Sequence, residues 1–245
     1  MRRVFVVFVA LAAFALLAIV PRDAWAKEST IGQPLRLEVK GVPEVYYFKP
    51  QSKGSKPILM YLHGRGGNPA EDCRKWARVG TQFGWVVCPS GPETTETGGR
   101  TWGNGAGYAQ TILERTIDAL REKYKGKVHR RGNVLIGFSE GAFVAMQVGL
   151  ADQRTWNRWL ILGASDVYWQ QDLTDALGKK RKVHRVYLLT GENDQVAKNT
   201  EKVGELLKKA KVPVKVKIVP GMGHEVPSDR MISTYRRPLL WLTAE

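Results

Sequence analysis

Cysteine is scarce in this chain, with two residues in 245. This number excludes a small domain held together by many disulfides, and it excludes a zinc module built from clustered cysteines. Acidic residues are also few, at 23 against 38 lysines and arginines, which leaves a formal net charge of +15. Taken alone, this charge favours a nucleic-acid partner, because phosphates select clustered basic side chains. With 43% hydrophobic and 25% charged residues, the chain is typical of a globular protein and not of a disordered tail.

The first 26 residues have the pattern of an export signal. Arg2 and Arg3 precede an apolar run from Val4 to Val20, and Ala24-Trp25-Ala26 supplies small residues before a cleavage site. We therefore predict a signal peptide over residues 1–26, and a single exported domain over residues 27–245 that is periplasmic or extracellular. An uncleaved N-terminal anchor is the alternative, because the apolar run is close to the shortest that spans a bilayer.

Export to an oxidising compartment gives the two cysteines a role. Cys73 lies in a predicted helix and Cys88 in the strand that follows, so their side chains can meet. We predict a disulfide between them, which would stabilise the fold by about 3 kcal/mol by restricting the unfolded chain. Two buried thiols are the alternative.

After the signal segment, apolar runs typical of buried strands alternate with segments of helical spacing. Strands are predicted at 57–62, 85–88, 133–138, 159–162, 185–190 and 214–219, and helices at 69–83, 108–124, 141–150, 197–210 and 228–242. This alternation predicts an α/β fold with a mostly parallel central sheet and helices on both faces. A long glycine-rich loop is predicted at 90–107.

The sequence Gly137-Phe138-Ser139-Glu140-Gly141 fits the pattern Gly-x-Ser-x-Gly. The pattern is weak alone, but here it follows a predicted strand and opens a predicted helix. A sharp turn in this position exposes a serine hydroxyl at the helix N-terminus, and the glycines on both sides relieve crowding. We therefore predict that Ser139 is a nucleophile, with a structural turn as the alternative.

A serine hydroxyl needs a base, and the base needs an acid that orients it. Of the four histidines, only His224 follows a predicted strand end and also comes after Ser139 in the chain. The loop after the preceding strand supplies Asp194 as the favoured acid, with Glu192 as the second choice. The order Ser139, Asp194, His224 is that of the α/β-hydrolases.

A second glycine-rich turn, His63-Gly64-Arg65-Gly66-Gly67, follows the strand predicted at 57–62. We predict that the backbone N–H groups of Arg65 and Glu140 form an oxyanion hole, and that His63 is a structural residue of the turn. A phosphate-binding loop is a weaker alternative, since the segment lacks the Lys-Ser/Thr ending of that motif.

Together, these motifs resemble a serine hydrolase of the α/β-hydrolase fold, over essentially the whole chain after residue 26. The compact size is similar to the carboxylesterase/phospholipase, dienelactone hydrolase and polyhydroxybutyrate-depolymerase-like branches. The resemblance implies hydrolysis of an ester through an acyl-enzyme on Ser139, with His224 as base and then acid and Asp194 orienting it. It implies no metal and no organic cofactor.

Several details of the expected site stay open. Arg65 and Glu140 depart from the usual esterase pattern, and they either pair with each other or select a charged substrate. Trp102 either lines the substrate pocket or packs against its own loop. Only a short helical flap fits within 164–183, so no large lid is expected and soluble or short-chain esters are favoured.

Three functions remain in competition. The first is an esterase acting on a small-molecule or polymer-linked ester, and the second is a serine peptidase or acyltransferase on the same fold. The third is a non-catalytic binding module. The sequence leaves the oligomeric state open.

The excess of basic residues falls mainly before strands, in three runs at 123–131, 179–185 and 208–211. In a parallel sheet these runs meet at the amino edge, away from the predicted site. We therefore expect no nucleic-acid partner. The charge either keeps this end of the protein soluble or docks it to an anionic envelope surface.

Overall fold

The computed structural model describes residues 31–168, residue 177 and residues 183–244. The predicted signal peptide and most of the predicted flap lie outside these residues. Within the described residues, no helix is both long enough and apolar enough to cross a membrane.

An eight-stranded sheet in the order β1-β2-β4-β3-β7-β8-β9-β10 organises the fold. Its strands are β1 (Leu35–Leu37), β2 (Val45–Phe48), β3 (Ile58–Leu62), β4 (Trp85–Pro89), β7 (Asn133–Phe138), β8 (Trp156–Leu162), β9 (Arg185–Gly191) and β10 (Val214–Val219). The six strands from β4 to β10 in this order are parallel, and β1 and β2 form an antiparallel edge. The prediction of a mostly parallel central sheet is therefore confirmed.

Helices cover both faces of this sheet, also as predicted. They are α1 (Pro69–Gly80), α2 (Ala106–Lys123), α3 (Glu140–Ala151), α4 (Ala197–Lys209) and α5 (Met231–Thr243). One apolar core contains residues of α2, α3 and α4, and the other contains residues of α1 and α5. Strand β3 shows why both faces need cover: Ile58 and Met60 enter the first core, whereas Leu59 and Tyr61 enter the second.

Helix α1 begins at a side-chain cap. The Asn68 side chain accepts a hydrogen bond from the Glu71 N–H at 3.2 Å, and Pro69 occupies the first helical position, where its missing N–H costs nothing. The helix is attached to the sheet by a disulfide between Cys73 and Cys88 of β4, whose Cα atoms are 5.7 Å apart. The predicted pairing of the two cysteines is thus present.

The segment predicted as a glycine-rich loop contains a small hairpin of β5 (Glu93–Thr94) and β6 (Arg100–Thr101). Tertiary contacts hold it: the Gly66 N–H donates to the Arg100 carbonyl at 2.8 Å, and the Arg100 N–H donates to the Gly67 carbonyl at 2.9 Å. Between β8 and β9 the described residues include a short 3₁₀ helix, Asp166–Tyr168, and one α-helical residue, Leu177. No large lid lies over the sheet in the part of the chain that the structure describes.

Candidate active site

The turns after β7, β9 and β10 carry Ser139, Asp194 and His224, which the sheet brings to one place. These strands are parallel and lie in the same half of the sheet, so their carboxyl ends meet at the same edge. His224 Nε2 lies 2.9 Å from Ser139 Oγ, and His224 Nδ1 lies 2.8 Å from Asp194 Oδ2. The three side chains form one continuous hydrogen-bonded chain.

Ser139 lies at the sharp turn between β7 and α3. Its φ is +55° and its ψ is −119°, a backbone conformation that a residue with a side chain rarely adopts. A Cβ on Gly137 would overlap the Gly141 carbonyl, and a Cβ on Gly141 would overlap the Leu62 carbonyl. Both glycines of the motif are therefore required for the turn to pack so closely.

Asp194 is held as a carboxylate by the groups around it. Its Oδ2 also accepts from the Thr190 hydroxyl at 2.6 Å, and its Oδ1 accepts from the Val196 N–H at 3.0 Å. Burial by itself would raise the pKa of Asp194, but the hydrogen bonds from Thr190, Val196 and His224 outweigh it and hold the pKa below its usual value. An ionised Asp194 accepts the Nδ1 proton of His224, which leaves Nε2 free to accept the hydroxyl proton of Ser139.

Gly163, at the end of β8, lies against the hydrogen-bonded side chains of His224 and Asp194. Its φ is +66°, and a Cβ there would lie 3.0 Å from His224 Cε1 and 3.5 Å from Asp194 Oδ2. The position therefore needs glycine both for its backbone conformation and for the close approach of the imidazole. Glu192, the second choice for the acid, instead accepts from the Gly221 N–H at 3.1 Å.

The turn at His63–Gly67 lies beside the nucleophile. A Cβ on Gly64 would be 3.2 Å from the Cβ of Ser139, so the backbone there approaches Ser139 closely. Among the described residues, the amides of Arg65 and Glu140 donate to no other group in a backbone or side-chain hydrogen bond. Both N–H groups therefore remain available to an oxygen bound near Ser139.

His63 is fully buried beneath this turn. Its Nδ1 donates to the Gly64 carbonyl at 2.8 Å, and its Nε2 accepts from the Gly91 N–H at 2.9 Å. Burial lowers the pKa of His63, which favours the neutral ring that these two bonds need. His63 joins the turn to the loop after β4, in keeping with the structural role expected for it.

Trp102 is a predicted site residue that is almost completely buried. Its side chain is 1% exposed, its ring stacks on His63 with centroids 5.2 Å apart, and its Nε1 donates to the His63 carbonyl at 3.0 Å. These contacts argue against the interpretation in which Trp102 lines a pocket. They pack its side chain against the His63–Gly67 turn and not, as the alternative expected, against its own loop.

The carboxylate of Glu140 is the centre of a hydrogen-bond network. The sequence left open whether Glu140 pairs with Arg65 or selects a charged substrate. Arg65 Nη2 donates to its Oε1 at 2.9 Å, and the Thr101 hydroxyl donates to both oxygens at 2.8 Å. The N–H groups of Trp102 and Asn104 also donate to it, at 3.1 and 3.2 Å. The Glu140 side chain is 4% exposed and the Arg65 side chain 55% exposed. Arg65 and Glu140 therefore pair with each other, and the carboxylate has no capacity left for a cationic substrate.

Sequence reasoning missed four of the residues that shape the site. They are Thr101, Asn104, Gly163 and Thr190. Thr190 carries a usable signal, because it is a hydroxyl residue near the end of the strand that precedes Asp194, four positions before it. The other three act through residues distant in sequence and carry no local signal. In the described part of the chain, no group of three or more His, Cys, Asp or Glu side chains is arranged to hold a metal ion.

Comparison with known proteins agrees with this fold. A model of the phospholipase/carboxylesterase family matches residues 47–236, and the chain therefore belongs to this family of α/β-hydrolases. No curated protein sequence matches the chain.

Solved structures of esterases and serine hydrolases share the fold. Esterase PE8 is 19% identical, with a TM-score of 0.65 over 85% of this chain and 100% of that one. A Bacillus cereus carboxylesterase is 18% identical, with a TM-score of 0.60 over 83% and 94%. The fluorophosphonate-binding serine hydrolase F of Staphylococcus aureus is 15% identical, with a TM-score of 0.63 over 86% and 97%.

Proposed function

We propose that this protein is a serine esterase that hydrolyses its substrate through an acyl-enzyme on Ser139. The observation that carries the proposal is the hydrogen-bonded chain from Ser139 through His224 to Asp194 at the carboxyl edge of the sheet. Membership of the phospholipase/carboxylesterase family supports the same chemistry.

In the first half of the reaction, Ser139 Oγ attacks the ester carbonyl while His224 Nε2 takes its proton. The carbonyl oxygen becomes an oxyanion that accepts from the N–H groups of Arg65 and Glu140. The intermediate then breaks its bond to the alcohol, which leaves with the proton from His224.

Water completes the second half of the reaction. His224 takes a proton from the water as its oxygen attacks the acyl carbonyl, and the carboxylic acid leaves as the proton returns to Ser139. Asp194 stays ionised throughout, because its hydrogen bonds keep its pKa low, and it stabilises the protonated imidazole.

The Arg65–Glu140 salt bridge has a positioning role in this scheme. Each of the two proposed oxyanion donors is the backbone N–H of one of these residues, so the side-chain bond at 2.9 Å links the two residues that carry the donors. Thr101 and Asn104 attach the hairpin loop to the same carboxylate. The network fixes the two amides before substrate arrives, which is the condition for efficient electrostatic stabilisation.

The substrate that fits this site is an uncharged ester, either a small molecule or a group linked to a polymer. The charge of Arg65 is compensated by Glu140, so the site offers no unpaired charge from these two residues to a substrate. An edge without a large lid among the described residues favours soluble or short acyl groups over long fatty chains.

Labelling with a fluorophosphonate probe tests the proposal. We expect wild type to be labelled and Ser139→Ala to be inert, while Ser233→Ala, a serine on α5, is labelled like wild type. A wild-type protein that stays unlabelled would support the non-catalytic binding module instead. Equal labelling of Ser139→Ala would refute the assignment of the nucleophile.

A panel of esters, peptides and acyl acceptors separates the esterase from the peptidase or acyltransferase alternative. We expect p-nitrophenyl acetate or butyrate to be hydrolysed faster than peptide substrates. Transfer to an added acceptor in preference to water would favour the acyltransferase, and rates that rise steadily beyond eight carbons would refute the short-chain preference.

The location of the enzyme is a separate proposal. We propose export of a single domain, residues 27–245, to the periplasm or the extracellular space, where the disulfide forms readily. The basic residues at the amino edge would dock the protein electrostatically to an anionic envelope surface. Mass spectrometry of the secreted protein should find Lys27 at its N-terminus, and an N-terminus at Met1 would favour the anchor.

A further inference from the structure

A shallow cleft at the amino edge of the sheet has a lining unlike that of the active site. It has a volume of about 230 Å³, and it is lined by four arginines and one threonine: Arg121, Arg130, Arg131, Arg154 and Thr155. We call it the arginine notch. The end of α2, the loop before β7 and the turn before β8 contribute these residues, so three separate segments converge on it.

The positive charge in the arginine notch is not compensated by salt bridges. Within residues 31–168 and 183–244, none of the four arginines has a carboxylate within salt-bridge distance. The nearby acids are otherwise engaged or remote: Asp152 accepts from the N–H groups of Arg154 and Thr155, and Asp118 acts on Arg121 only at longer range. Four like charges around one cleft repel each other, and a bound anion would relieve that repulsion.

Arg121 is already held in place. Its Nη2 donates to the carbonyls of His129 and Arg130 at 3.0 and 3.3 Å, which ties the guanidinium to the loop that carries Arg130 and Arg131. Its Nε is buried and has no hydrogen-bond partner among the described residues. Burial lowers the pKa of Arg121, and the nearby charge of Arg130 acts in the same direction. An arginine fixed in this way loses less conformational freedom when it binds a ligand.

We propose that the arginine notch binds a phosphate group that carries more than one negative charge, at a site separate from Ser139. Guanidinium groups donate paired hydrogen bonds that match the oxygens of phosphate, and the Thr155 hydroxyl adds a neutral donor. The volume is below the range of about 300–1,000 Å³ that holds drug-sized ligands, and it suits a small ionic group such as a diphosphate. Strand β7, with six residues, separates the notch from Ser139 by about 20 Å. The inference therefore does not depend on the proposed esterase activity.

Calorimetric titration with inorganic pyrophosphate tests this site on the purified protein. We expect one bound pyrophosphate in wild type. Arg130→Ala/Arg131→Ala should weaken binding about tenfold and Arg154→Ala, from a different segment, about threefold. Lys208→Ala/Lys209→Ala is the matched control: it removes the same charge from the exposed end of α4 and should change the affinity less than about twofold. Circular dichroism and the melting temperature establish that each variant is folded.

Two outcomes would overturn the proposal. Either wild type shows no saturable pyrophosphate binding, or the lysine control loses as much affinity as the arginine variant, which means that only the general field of the protein attracts the anion.

If the notch binds pyrophosphate, a second experiment identifies the source of the phosphate. It compares co-sedimentation with phosphatidylglycerol vesicles to co-sedimentation with phosphatidylcholine vesicles. Loss of vesicle binding in Arg130→Ala/Arg131→Ala indicates a lipid phosphate, and unchanged vesicle binding with lost pyrophosphate binding indicates a soluble one.

Discussion

At the carboxyl edge of the sheet, the charged side chains beside Ser139 are paired, whereas the four arginines of the arginine notch have no salt bridge among the described residues. Asp194 and Glu140 are buried, and each accepts three or more hydrogen bonds. Arg130 and Arg131 are exposed. The protein therefore uses charge in two ways: paired charges fix the geometry around Ser139, whereas the charge of the arginine notch is left without salt bridges among the described residues.

This difference explains why a large net charge says little about the substrate. The +15 is a sum over the whole sequence, and the parallel topology places its main runs before strands, at the edge opposite Ser139. Within the described residues, those runs include 123–131 and 208–211. Arg65, in the turn beside Ser139, forms a salt bridge with Glu140.

Of the effects we predict, the largest should be the loss of activity at the carboxyl edge in Asp194→Asn. The change keeps the size of the side chain but removes the charge and the acceptor that selects the Nδ1 proton of His224. We expect kcat to fall about 10⁴-fold with little change in KM, as for loss of the acid in other triads. Steady-state kinetics with p-nitrophenyl acetate measures the effect.

Glu192→Gln is the control for that change, since Glu192 follows the same strand but bonds to Gly221. It should keep activity within about twofold, because the removed charge does not contact His224. If Glu192→Gln lost more activity than Asp194→Asn, the assignment of the acid would be wrong.

The arrangement of Ser139, Asp194 and His224 at this edge was predictable because its signals are local. Ser139 is marked by glycines on both sides, by the strand before it and by the helix after it, and its φ of +55° is the conformation that such a turn needs. Asp194 and His224 each come directly after a strand, so the parallel topology alone brings them to the edge that holds Ser139.

The supporting network was only partly predictable, because its partners are far apart in the chain. Pairing of Arg65 with Glu140 was one of two alternatives, whereas the contributions of Thr101 and Asn104 were missed. Arg65 and Glu140 are 75 positions apart, and only the packing of the turn after β3 against the start of α3 brings them together. The hairpin of β5 and β6 has two residues in each strand, and it depends on contacts with Gly66 and Gly67. The local composition of this segment is that of a loop, because tertiary contacts, and not local sequence, form its two strands.

Element boundaries show the same limit. Strand β8 begins at Trp156, three residues before its predicted start, because Asn157 and Arg158 interrupt the apolar run although Arg158 still pairs with β7 and β9. Helix α5 begins at Met231 and not at residue 228 as predicted. For β8, pairing with the neighbouring strands, and not hydropathy, decides where the element starts.

Breaking the Glu140 network should have the second-largest effect. Glu140→Ala removes the acceptor that holds Arg65 and the hairpin loop, and we expect kcat to fall about 10²-fold, with KM changed less than about threefold, because only the transition state uses the oxyanion donors. Glu140→Gln keeps one acceptor oxygen and should recover about tenfold of that loss. The rate of fluorophosphonate labelling should fall in parallel with kcat.

The double variant Arg65→Met/Glu140→Ala separates positioning from simple charge loss. If the two side chains act as one unit, the double variant should be no slower than Glu140→Ala alone. Glu205→Ala, which breaks an exposed salt bridge on α4, is the matched control and should leave kcat unchanged. Additive losses in the double variant would contradict a shared positioning role.

The third-largest effect we predict is a dependence of the free energy of unfolding on Asp194 that weakens at acidic pH. The pKa of Asp194 is lower in the folded protein than in the unfolded chain, so its carboxylate contributes stability that is fully present above about pH 5. That contribution is lost as the pH falls through the folded pKa, below the usual aspartate value of about 3.9. We therefore expect the free energy of unfolding to differ between wild type and Asp194→Asn at pH 7, and the difference to shrink towards pH 3. Urea denaturation at both values measures it, and a difference independent of pH would contradict the low pKa.

The smallest expected effect is that of the arginine notch on catalysis. About 20 Å separates the notch from Ser139, and the Debye length is about 10 Å at 0.1 M salt, so the field of Arg130 and Arg131 is largely screened at the site. Arg130→Ala/Arg131→Ala should therefore change neither kcat nor KM for a neutral soluble ester by more than about twofold, although the same variant loses pyrophosphate affinity. A change in kcat larger than about fivefold, in a variant that keeps the wild-type melting temperature, would mean that the two edges are coupled. In that case phosphate binding at the amino edge would regulate the chemistry at the carboxyl edge.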